Sequence, residues 1–109
     1  MIQTQEGLEK ICNRVIGMPW VALDTEFERV STYYPRLCLI QIGTPQLTAC
    51  IDPTADIDLS LFGELLSNHK VLKVLHSARQ DLEVLGITLP HKVNHIFDTQ
   101  IAAQFCGYG

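Results

Sequence analysis

Hydrophobic and polar positions along this chain change rhythm after the first helix and again after residue 52. Between about residues 4 and 16, Leu8, Ile11, Cys12, Val15 and Ile16 share one helical stripe. Thr4 is placed to cap the start of that helix, and Gly17 with Pro19 to end it. Apolar runs of strand length follow. Trp20 to Phe27, Leu37 to Gly43 and Leu47 to Asp52 read as three strands, with Pro45 in a short turn before the third. Helical spacing then returns and alternates with short strands. Leu59 to Asn68 reads as a helix, Val71 to His76 as a strand, and Ser77 to Gly86 as a helix closed by Gly86. His95 to Phe97 is a short strand, and Asp98 to Gly107 a helix with Asp98 at its N-cap.

A three-stranded meander followed by helix–strand alternation predicts an α/β fold, a mixed sheet with flanking helices. The order β-β-β-α-β-α-β-α resembles the ribonuclease H-like arrangement. With 109 residues, 47% hydrophobic and 18% charged, the chain suits one domain with a modest core. No repeat, low-complexity tract or linker divides it. Cys12, Cys38, Cys50 and Cys106 form no CxxC pair and lie in apolar runs, so they read as reduced core residues of a cytoplasmic protein. No signal peptide is visible, and no apolar run nears the roughly 18 residues of a membrane span.

Charge narrows the partners. The net charge is −4 with only 8 Lys and Arg, which argues against holding nucleic acid by bulk positive charge. It leaves open a protein that reaches phosphate through bound divalent ions.

The candidate chemistry begins in the first strand. Alternate side chains share a face, so Asp24 and Glu26 project together beside Ala22, while Val21, Leu23, Thr25 and Phe27 point the other way. Paired carboxylates repel and favour a cation between them; a solvated strand face is the simpler account, and geometry alone leaves both open. Asp81 lies on the edge of the inward stripe of its helix, near the N-terminus, where the dipole also favours a surface acid. Three carboxylates converging on one side of a sheet would suit Mg²⁺ or Mn²⁺. Two such ions about 4 Å apart activate a water and stabilise the departing oxygen in phosphodiester cleavage.

These residues sit inside longer matches. "ALDTEFERVSTYYPRLCLIQIG" resembles the first motif and following strand of ribonuclease D, "HSARQDLEVL" its second motif, and "IFDTQIAAQFCGYG" the next strand and helix. Ribonuclease D belongs to the DEDD superfamily of 3′-to-5′ exonucleases, whose four acids hold two divalent metals. Its members trim RNA 3′ ends, notably of tRNA precursors. The resemblance implies that Asp24 bridges both metals, that Glu26 binds one and orients the attacking water, and that Asp81 is the third ligand. It also implies nucleic-acid contacts at Thr25, Phe27 and His76, with no small-molecule cofactor. Phe27 reads equally as a core residue, and His76 as a structural one. Arg29, Tyr33, Tyr34 and Arg36 form either a strand-guiding loop or a solvated turn, Asp52 a turn, and Asp56 and Asp58 a solvated approach to a helix.

The family's fourth acid, with a tyrosine four residues before it, lies beyond the matched stretch, and no acid follows Tyr108 here. Residues 1–109 are thus expected to be the N-terminal part of a ribonuclease D-like catalytic domain, lacking its remainder and its helical RNA-binding domains. Such a piece is expected to be close to inactive alone. The alternatives are a DNA-directed exonuclease of the same superfamily and a non-catalytic nucleic-acid-binding module; three retained, mutually repelling acids argue against the latter.

Overall fold

A computed structural model describes residues 1–29, 35–76 and 78–107. Helix α1 spans Gln5–Val15, and the Thr4 hydroxyl oxygen accepts from the Gly7 N–H at 3.1 Å, the expected cap. Strands β1 (Trp20–Arg29), β2 (Pro35–Gly43) and β3 (Thr48–Ile51) form the meander. Helix α2 (Ser60–Ser67), β4 (Leu72–Leu75), α3 (Ala78–Thr88), β5 (Ile96–Asp98) and α4 (Thr99–Phe105) complete the expected order.

The five strands are arranged β3-β2-β1-β4-β5. β1 pairs antiparallel with β2 and parallel with β4, so the sheet is mixed as the alternation predicts. Ile2 bridges to Ile51 beside β3 and anchors the start of the chain. Burial alternates along β1: Val21, Leu23 and Thr25 are buried, while Asp24 and Glu26 are exposed. Val21, Leu23, Ile40, Ile42, Ile51 and Leu75 pack into one cluster with Leu8, Cys12 and Val15 of α1, Phe62, Leu65 and Leu66 of α2, and Val84 and Leu85 of α3. The face bearing Ala22, Asp24, Glu26 and Gln41 is turned away from this core.

Three expectations need correction. The third helix does not stop at Gly86 but runs on to Thr88, because one more turn brings Leu89 to the core, its N–H donating to the Leu85 carbonyl at 2.8 Å. β5 begins at Ile96 rather than His95, which sits at φ 60°, a left-handed conformation that no strand residue adopts. The four cysteines are free, yet only Cys12 is buried; Cys38 and Cys50 are half-buried, and Cys106 is exposed just beyond α4. Burial pushes the Cys12 thiol up to about 11.

Candidate active site on the open sheet face

In open α/β sheets ligands bind outside the carboxyl ends of parallel strands, at the point where the strand order reverses. β1 meets β4 at such a point. Its register with β4 covers Trp20 to Ala22, where Ala22 faces Val74, whereas its register with β2 continues to Arg29. Asp24 and Glu26 lie just past that point, opposite Gln41 and Leu39 of β2. The register shifts between Glu26 and Phe27, a local irregularity that turns the strand directly after the second acid. The Thr25 N–H donates to Asp24 Oδ1 at 3.0 Å and fixes how that carboxylate faces outward.

Asp81 reaches the sheet from its inner face. It occupies the first turn of α3 and is 7% exposed, and the Thr25 hydroxyl donates to its Oδ1. Burial raises the Asp81 carboxyl above its ordinary range; hydrogen bonds from Thr25 oppose this, and the charges of Asp24 and Asp98 add to it. Asp24 and Asp81 therefore feel each other from opposite sides of β1. Glu26 stands exposed on the Asp24 side. Among the described residues, no three His, Cys, Asp or Glu side chains lie close enough together to hold a metal ion. The donor set fits hard divalent cations in its chemistry, and Asp81 is destabilised in the way a cation would relieve; its geometry supplies a pair of interacting acids rather than a closed triad.

Other expected site residues divide. Thr25 turns its side chain inward to Asp81, which leaves its backbone, not its hydroxyl, near the outer face. Phe27 is half-buried and packs against the core. Arg36 lies in β2 and pairs with Glu28, its register partner on β1. Tyr33, Tyr34, Ser77 and Tyr108 fall outside the described residues. His76, exposed after β4, shares a hollow of about 390 Å³ with Ala22, Asp24, Val74 and Thr99. Asp24 also lines a second hollow of about 360 Å³ with Gln41, Gly43, Thr48 and Cys50. A larger apolar hollow of about 780 Å³, between α3, β5 and α4, contains none of the three acids.

Asp98 does more than its position predicts. Its Oδ1 accepts from the N–H groups of Gln100 at 2.9 Å and Ile101 at 3.4 Å, the expected cap of α4. Its Oδ2 accepts from the Ala78 N–H at 2.7 Å and so joins the start of α3, which carries Asp81, to the start of α4. That bond spans 20 residues, and no local pattern announces it.

The family described as 3′-5′ exonuclease matches residues 1–109. The chain belongs to that family. Among its relatives in this 3′-5′ exonuclease family, ribonuclease D of Nitrobacter hamburgensis is 46% identical over 114 residues, which cover 100% of this chain and 29% of the relative. The crystal structure of Escherichia coli RNase D, an exoribonuclease involved in structured RNA processing, superposes with a TM-score of 0.91 at 42% identity, over 98% of this chain and 28% of that one. The catalytic core of RRP6 from Trypanosoma brucei does so with a TM-score of 0.92 at 26% identity, over 99% of this chain and 30% of that one. The expected ribonuclease H-like fold and the ribonuclease D resemblance both hold. This exonuclease segment spans under a third of the length of those relatives.

Proposed function

We propose that residues 1–109 are the N-terminal part of the catalytic domain of a ribonuclease D-type exoribonuclease, which hydrolyses the 3′-terminal phosphodiester of RNA and releases nucleoside monophosphates. The observation that carries this reading is the placement of Asp24 and Glu26 where β1 outruns β4, with Asp81 held behind them by Thr25, in a chain 42% identical to Escherichia coli RNase D. Asp24, Glu26 and Asp81 would hold divalent ions, Mg²⁺ or Mn²⁺, which supply positive charge for the phosphate and a water of lowered pKa. The chain's own residues set the geometry. Thr25 orients two of the acids at once, Asp24 through its N–H and Asp81 through its hydroxyl. Asp98 fixes the helix start that carries Asp81. The RNA 3′ end lies on the open face, tRNA precursors are the substrate class, and the cytoplasm is the setting. No helix among the described residues is long and apolar enough to cross a membrane.

A chimera tests this directly. Replacing the matching segment of Escherichia coli RNase D with this chain should preserve stepwise trimming of a 5′-labelled oligoribonucleotide. Asp24→Ala in the chimera should lower the rate by about a hundredfold or more, the order expected when a transition-state charge stabiliser is lost. A folded chimera that trims nothing, or trims equally well with Asp24→Ala, would refute the proposal.

A further inference from the structure

Thr99, the first residue of α4, stands with its hydroxyl between two groups at the end of β4. Its Oγ1 lies 2.9 Å from His76 Nδ1 and 3.3 Å from the Leu75 carbonyl oxygen. A hydroxyl has one hydrogen to give and two lone pairs to receive with. The Leu75 carbonyl only accepts. If Thr99 donates to that carbonyl, it accepts from His76 Nδ1–H, and both contacts are hydrogen bonds. If it donates to Nδ1 instead, the carbonyl contact is lost. The first arrangement satisfies more groups, and it sets the imidazole as the Nδ1–H tautomer with the lone pair on Nε2.

The surroundings say what that lone pair is for. Ala22 and Val74 are the last register partners of β1 and β4; Asp24 lies two residues further along β1, and His76 directly follows the end of β4. The two side chains and Thr99 line one hollow of about 390 Å³. An imidazole lone pair accepts and does not donate, so Nε2 takes a hydroxyl hydrogen and has nothing to offer a phosphate oxygen. In an RNA 3′ end, the hydroxyl groups are those of the terminal ribose.

We infer that Thr99 is a positioning residue that holds His76 as the Nδ1–H tautomer, so that Nε2 accepts a hydrogen bond from a hydroxyl of the 3′-terminal ribose. The sugar contact rests on the proposed reading of the open face as the RNA site; the hold of Thr99 on His76 does not.

Two-bond ¹H–¹⁵N imidazole spectra of the ¹⁵N-histidine-labelled chain, taken at about pH 8 where histidine is ordinarily neutral, read the tautomer directly. His76 should show a protonated Nδ1 and an unprotonated Nε2, kept in Thr99→Ser and shifted toward Nε2–H in Thr99→Val. Wild-type His76 found as Nε2–H, or unchanged in a folded Thr99→Val, overturns the inference. Titration with adenosine 5′-monophosphate should move the Nε2 resonance, and the 2′,3′-dideoxy analogue should bind about fivefold more weakly, the effect of one hydrogen bond. Equal binding of the two overturns the sugar contact. If neither nucleotide binds while the tautomer is as stated, the sugar contact and the proposed RNA site fall together, and the role of Thr99 in fixing His76 stands.

Discussion

Asp81 is held in the first turn of α3 by the Thr25 hydroxyl, with burial and the charge of Asp24 both working against its ionisation. Asp81→Asn keeps an oxygen to accept from Thr25 and removes the charge. The variant should be more stable than the parent by about 1 kcal/mol without divalent ions, and should lose any stabilisation by Mn²⁺. Urea unfolding with and without Mn²⁺ measures both; a less stable variant would mean the buried carboxylate is favourable by itself.

Lys73, in β4, is fully buried, and its Nζ donates to the Asn68 carbonyl at the end of α2. Burial lowers its ammonium from 10.5 to about 8. Below about 8 both folded and unfolded chains carry the proton, and the fold bears the whole cost of the buried charge. Between about 8 and 10.5 the folded chain gives up its proton first, so stability should rise with pH across that window. Lys73→Met should flatten that rise and add about 1–2 kcal/mol near neutral pH, since one carbonyl does not offset the desolvation of a buried ammonium. The Asn68 carbonyl keeps the Val71 N–H at 3.2 Å, so it is not orphaned by the change. Parity along the strand places Lys73 inward with Val71 and Leu75, but lysine's usual preference for water hides it in the sequence. Asp24 and Glu26 were legible because the same parity puts two acids outward.

At the scale of elements, strands and helices followed from periodicity, and their misplaced ends did not. A glycine three residues before a buried leucine did not stop α3, because the gain from seating Leu89 outweighs the roughly 1 kcal/mol that glycine costs within a helix. Nothing near His95 in sequence foretells its left-handed backbone. Gly63 has a reason that lies far away: a methyl group there would overlap the His91 imidazole, which packs on α2. Gly63→Ala should therefore destabilise the fold by about 1–3 kcal/mol despite alanine's better helix propensity. Thermal unfolding measures this, and His91→Ala in the same chain should recover much of the loss. Additive effects of the two changes would show that the side chains do not meet.

For the molecule as a whole, the three acids were legible as residues, but their arrangement was not. A helix on the core side supplies Asp81 and a strand supplies the outward pair; only the tertiary bond through Thr25 relates them. The link from Asp98 to Ala78 is equally invisible locally and reaches further. Because one carboxylate receives the amide hydrogens of Ala78, Gln100 and Ile101, those hydrogens should become open to solvent in a single event. Native-state hydrogen exchange should give the three amides a common opening free energy, and Asp98→Ala should accelerate all three together while leaving the buried turns of α1 slow. Three unrelated opening energies would show that the shared carboxylate does not couple them. In kinetic terms the first turns of α3 and α4 then open as one unit, and Asp81 and Thr99, which belong to different helices, leave and regain their places in step.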